Sequence, residues 1–181
     1  MAKRLIGSAA LTPSSDTGFD LDTKGQIHGY TTTQYALDVG NDSDILVCDS
    51  GEASGLKYTA NTNSFVVACS DETTALTTGT KVTFRMPYAY TVTAVRASLT
   101  TAGTGANLVT VDISESATTI LSTKITIDAT ETTSTTAATP PVISDSALAD
   151  DAQMTIDIDQ IDSGGVSAGL KVYIIGYRVA H

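Results

Sequence analysis

The chain has 181 residues, enough for one sizeable core with an extended arm and too few for two large domains. Hydrophobic residues make up 41% and aromatics 6%, with no Trp, so the core must be built from Val, Ile, Leu and Ala, and the abundant Thr favours pleated strands over helices. A formal net charge of −10 repels phosphate backbones and anionic head groups, which argues against nucleic-acid and membrane partners.

The chain opens Met1-Ala2-Lys3-Arg4-Leu5-Ile6-Gly7, whose apolar stretch is too short for a secretory signal, and no later run approaches the roughly 20 apolar residues of a membrane span. The mature chain is expected to start at or near residue 1. Residues 1–20 contain Gly, Pro and Ser without a sustained apolar period and read as an extended arm that Met1 to Ile6 could anchor. Residues 21–63 carry short apolar patches broken at Gly25, Gly29, Gly40, Asn41-Asp42, Asp49-Ser50-Gly51 and Gly55. No three-turn helix fits between such breakers, whereas Ile45-Leu46-Val47 and Leu56-Lys57-Tyr58 suit short strands. A segment of this kind is ordered most easily by packing against copies of itself, with Ile27, Tyr30, Ile45, Leu46, Leu56 and Tyr58 as the contact residues.

Residues 64–181 change character. Strand-length runs separated by turn-formers recur at the spacing of a sandwich or barrel. Phe65-Val66-Val67-Ala68 is one; Lys81 to Met86 alternates and stops at Pro87, an edge or end signal. Thr91 to Leu99 alternates Val92 and Ala94 with Thr and ends at the glycine-rich Thr101 to Gly105. Val109, Val111 and Ile113 face one way, Thr110 and Asp112 the other. Ile125-Thr126-Ile127 alternates, and a Thr-rich bridge, Thr130 to Thr139, closes at Pro140-Pro141. Ser144 to Asp151 is the one stretch suited to a helical turn. Met154, Ile156 and Ile158 alternate with Thr155, Asp157 and Asp159, the period of a sheet with one wet face. After a Gly164-Gly165 turn, Leu170 to Arg178 is the longest apolar strand. The expected fold is all-β: an antiparallel, jelly-roll-like sandwich of about eight strands, carrying an N-terminal arm.

Catalytic chemistry finds little footing. A Ser, Cys or Thr nucleophile needs a base, and the histidines are His28, in the Gly-rich segment, and His181, the last residue. Gly103-Thr104-Gly105 lacks the Lys-Ser/Thr ending and strand-to-helix context of a phosphate loop, so it reads as an inter-strand turn. Cys48 and Cys69 permit one disulfide but read as separate reduced thiols, and without a paired histidine they serve zinc poorly. Asp157, Asp159 and Asp162 are hard ligands that would suit calcium, although a solvated sheet face also explains Asp157 and Asp159. Scattered carboxylates give no specific signal for sugar hydrolysis. Tyr88 and Tyr90 suit the end of a sandwich, with a small sugar or partner contact as the alternative. The reading is of a protein that is not an enzyme and carries no cofactor or catalytic metal.

Two stretches resemble virion proteins of tailed phages. Leu21-Asp22-Thr23-Lys24-Gly25-Gln26-Ile27-His28-Gly29-Tyr30, then Val39-Gly40-Asn41-Asp42, Ile45-Leu46-Val47-Cys48-Asp49-Ser50 and Gly55-Leu56-Lys57-Tyr58, is similar to a segment recurring in fibre and appendage proteins, where Gln26 and Tyr58 are often Asp and Trp. Phe84-Arg85-Met86-Pro87, Arg96 to Ala106, Val111-Asp112-Ile113, Ile120-Leu121-Ser122 and Ile125-Thr126-Ile127-Asp128 resemble a β domain of the same class. The resemblance implies homotrimers with intertwined N-terminal segments and a jelly-roll-like sandwich. Long fibres need a shaft that this chain has no room for. A decoration or cement trimer on the capsid surface is therefore the expectation, with Lys3, Arg4, Leu5 and Ile6 binding the major capsid protein. The alternative is a short tail or head fibre whose partner is a host-surface receptor.

Overall fold

The computed structural model describes residues 27–30, 34–38, 40–41, 44–52 and 54–179. The arm at 1–20 lies outside them. The protein is all-β, and its chain divides into two compact units between Ala60 and Asn61.

In the first unit β1 (Ile27–Tyr30) pairs antiparallel with β2 (Gln34–Leu37), and β3 (Asp44–Cys48) with β4 (Leu56–Ala60). Asp49 shapes the turn after β3: its Oδ1 accepts from the Gly51 amide at 2.9 Å and its carboxylate pairs with Lys57. The lysine hydrogen bond, helped by Gly51, holds the Asp49 carboxyl below its ordinary range.

The second unit contains β5 (Thr62–Ala68), β6 (Gly79–Arg85), β7 (Tyr90–Ser98), β8 (Val109–Glu115), β9 (Thr118–Thr119), β10 (Leu121–Thr123), β11 (Ile125–Ile127), β12 (Val142–Ile143), β13 (Ala147–Leu148), β14 (Gln153–Gln160) and β15 (Lys171–Arg178). One sheet runs β11-β8-β14-β6, with β9 on β8; the other runs β13-β7-β15-β5; β10 and β12 form a short ribbon. Leaving out β9, β10 and β12, the strands pair from the outside inward in sequence: β5 with β15, β6 with β14, β7 with β13, β8 with β11. This nested antiparallel pairing, rolled so that successive pairs alternate between two sheets, is the jelly roll.

Period-two alternation supplies the filling between the sheets. Val109, Val111 and Ile113 of β8, Ile125 and Ile127 of β11, Met154, Ile156 and Ile158 of β14, and Val172 and Ile174 of β15 are buried in one cluster. Each fully buried aliphatic side chain contributes roughly 1.5–3 kcal/mol over its exposed state. Gly176 continues the inward row of β15, where a Cβ would collide with the Thr91 carbonyl oxygen, and it lets the Tyr90 ring lie against the backbone. Tyr90 is fully buried, packs edge-on against Phe65 at 5.0 Å, and donates its hydroxyl to the Asn63 carbonyl oxygen at 2.8 Å. Tyr88 leans on the same ring, and Arg178 stacks over Tyr88 at 4.9 Å. The tyrosines therefore plug the sandwich.

Two local expectations need correction. In β7 the alternation slips: Ile175 faces Ala94 but Gly176 faces Val92, so a bulge absorbs one residue and the buried row becomes Val92, Val95, Ala97 and then Leu99. Ala94 thus leaves the inward row that plain alternation assigns to it, because one inserted residue exchanges the faces of everything after it. Ser144 to Asp151 forms no helical turn; Ala147 and Leu148 pair with Thr91 and Tyr90 as β13. The helical turn is instead a 3-10 turn, Ser134–Thr136, in the Thr-rich bridge. Its Ser134 hydroxyl accepts from the Ala97 amide at 2.9 Å, while Leu99 donates to the Thr132 carbonyl at 2.8 Å, so this bridge runs along β7 as a substitute strand.

Candidate assembly surface

The two sheets present unlike outer faces. On β8 and β14 the outward residues include Asp112 and Asp157, which are direct cross-strand partners. Like charges so placed repel, and the sheet supplies donors to each carboxylate. Asp157 accepts from Thr80 and, at 3.1 Å, from Thr155. Lys124 lies 2.9 Å from Asp112 and 2.5 Å from Asp159, which a bulge in β14 brings within reach. The hydrogen bonds that Lys124 donates to Asp159 and Asp112 raise its pKa above the ordinary value. Thr119 donates to Asp112 at 2.5 Å, and this cover leaves Asp112 buried.

Asp162 goes elsewhere. In the loop between β14 and β15 it is 2% exposed and accepts from the amides of Thr104 (3.0 Å), Val166 (3.3 Å) and Ser167 (3.2 Å) and the Ser167 hydroxyl (2.5 Å). Burial alone would raise its pKa, but these donors outweigh it and bring the carboxyl to about 2. Gly103 is needed because a Cβ there would sit 2.5 Å from the Asp162 Cβ. The Gly103-Thr104-Gly105 loop is thus a seat for Asp162, with the Thr104 amide already engaged. Asp157, Asp159 and Asp162 have three separate partner sets, and among the described residues no group of three or more His, Cys, Asp or Glu could hold a metal ion.

The outer face of β13-β7-β15-β5 is different. Tyr173 stands between Val66 and Arg96, Ile175 between Ser64 and Ala94, and Tyr177 between Thr62 and Thr91. Tyr173, Ile175 and Tyr177 are half-buried and Val66 is 56% exposed. Where the Thr-rich bridge passes β7, a groove of about 250 Å3 opens, lined by Arg96, Ala97, Ser98, Thr133, Thr135, Tyr173 and Ile175.

The contact residues expected in the first unit fall on its strands. Ile27 and Tyr30 bound β1. Ile45 and Leu46 are neighbours on β3, so they point to opposite faces, and they are 43% and 39% exposed. Leu46 is opposite Tyr58, and Leu56 is opposite Cys48; Leu56 and Tyr58 are half-buried. Tyr58 covers Gly40 so closely that a Cβ there would lie 2.6 Å from its Cγ. A two-stranded hairpin is marginal in water by itself, and this one shows apolar side chains on both faces. The expected capsid-anchoring residues Lys3, Arg4, Leu5 and Ile6, like His181, lie outside the described residues.

Cys48 is exposed and Cys69 buried, and both are free thiols. Burial pushes the Cys69 thiol up to about 11, which leaves it unreactive at neutral pH. Among the described residues no helix is long and apolar enough to cross a membrane. No protein-family model and no curated protein matches this chain.

Proposed function

We propose that the protein is a structural component of a tailed-phage virion: a homotrimeric decoration or cement protein that binds the major capsid protein through its N-terminal arm and covers the capsid surface. The observation that carries the reading is the β3–β4 hairpin, with Ile45 and Leu46 exposed on opposite faces. An element this small gains its stability by burying such side chains against further chain, and intertwined copies provide it. The jelly roll supports the reading at the level of fold, since that architecture serves viral shells. The acidic sheet, whose carboxylates already have donors, suits a face turned to solvent.

The tests are an oligomer mass and an occupancy measurement. Sedimentation of the full chain should give a trimer, and replacing Ile45 and Leu46 together by Asp should shift it to monomer. Deleting residues 2 to 18 should abolish capsid binding while the trimer persists; a monomeric wild type, or capsids still fully occupied by the deleted protein, would falsify the proposal. The second reading, a short tail or head fibre that binds a host receptor, is favoured by the groove beside Arg96. Imaging of labelled virions separates the two by position.

A further inference from the structure

The groove on the outer face of the β13-β7-β15-β5 sheet holds a cation that the fold does not use. Lys57 pairs with Asp49, Arg85 with Asp151, Lys124 with Asp112 and Asp159, and Lys171 with Glu72. Lys81 donates to the Thr77 hydroxyl at 2.7 Å, and Arg178 stacks on Tyr88. Arg96 alone among the described lysines and arginines has no such partner. The net charge of −10 repels anions at long range, so an anion that binds needs a local partner, and the guanidinium left open in this groove supplies one.

The walls narrow the choice. Hydroxyls flank Arg96 in pairs: Ser98 with Tyr173 at 3.2 Å, and Thr133 with Thr135 at 2.9 Å. Tyr173 and Ile175 add an aromatic and an aliphatic surface from the neighbouring strand. The volume, about 250 Å3, is just below the roughly 300 Å3 at which drug-sized pockets begin. It therefore suits one ring with its substituents. A planar fork for a carboxylate, paired hydroxyls for a polyol and a tyrosine for the apolar side of a ring together describe a sugar acid. An acidic peptide would also use the guanidinium, but its backbone groups are spaced along an extended chain and do not present the adjacent hydroxyls of a sugar ring to both hydroxyl pairs.

We propose that this groove binds a hexuronic-acid residue of an acidic glycan, with Arg96 holding the carboxylate and Ser98, Thr133, Thr135 and Tyr173 meeting the ring hydroxyls. The site is built within one sandwich, so it stands whichever part of the virion the protein occupies. It would give the particle weak attachment to acidic polysaccharide, multiplied by the number of copies displayed.

The test is titration of the full-length protein with trisaccharides of galacturonate and of glucuronate, followed by NMR or calorimetry. At least one should bind saturably with a Kd of roughly millimolar order, and its methyl ester should bind at least about tenfold more weakly, the usual scale for a lost charge-assisted hydrogen bond. Arg96→Ala should abolish the difference between acid and ester at an unchanged melting temperature. Arg96→Lys should bind more weakly than wild type, because an ammonium cannot form the two-pronged contact. The assignment is overturned if neither trisaccharide saturates, if acid and ester bind equally, if Arg96→Ala binds like wild type, or if a glutamate-rich peptide of equal charge binds as tightly as the sugar.

Discussion

The outer face of the β11-β8-β14-β6 sheet satisfies its own carboxylates: Asp112, Asp157 and Asp159 are each met by Lys124 or by threonine hydroxyls of the same unit. The outer face of the β13-β7-β15-β5 sheet leaves Val66 exposed, Tyr173, Ile175 and Tyr177 half-buried, and Arg96 without a partner among the described residues. Both faces cover the same core. The difference lies away from the core: one face satisfies its polar groups from within the sheet, and the other keeps apolar side chains at the surface and a cation without a partner among the described residues.

Substitutions can sharpen or break that contrast. The largest effect should come from the layer the faces share: Ile156→Ala, beneath the outward Asp157, should cost about 2–5 kcal/mol in denaturant unfolding. Asp112→Ala on the acidic face should cost about 1–2 kcal/mol, because Thr119 and the Ile113 amide lose their acceptor and the half-exposed Lys124 retains Asp159. Val66→Thr on the open face should change stability by no more than about 0.5 kcal/mol. If Asp112→Ala proves as harmless as Val66→Thr, the two faces are equivalent and the contrast fails.

Acid provides an independent measure. The folded-state pKa of Asp162 lies at about 2, below its ordinary 3.8. A depressed carboxyl contributes stability that is complete above the unfolded-state pKa and is lost as pH falls through the folded one. Melting temperature should therefore drop between about pH 4 and pH 2, and the Asp162→Asn protein should lose less over that window.

Much of the sandwich is legible in the sequence because its central strands have one dry face. Met154, Ile156 and Ile158 against Thr155 and Asp157 announce β14, and Leu170 to Arg178 announces β15. Bulges are not legible: Thr93 and Ala94 look like any other pair, and only pairing with Ile175 and Gly176 decides where the extra residue goes. β13 was hidden as well, since Ser144 to Asp151 has helix-compatible spacing until the edge of β7 offers it hydrogen bonds. The groove leaves no local signal at all. Arg96 and Tyr173 become neighbours through register, and the Thr-rich bridge that walls them reads from its composition as a mere connection. Asp162 shares a short stretch with Asp157 and Asp159, yet it lies beyond the end of β14 and turns inward while they stay on the surface.

The nested pairing also constrains the order of events during synthesis. β15 lies between β5 and β7, so the strand translated last in the sandwich is an inner one of its layer. A nascent chain that has not yet released residues 171–178 from the ribosome holds β5 without its neighbour and β7 with one side open. Closure of this layer has to await β15, and a message cut short before it yields a product whose two flanking strands have nothing to join them.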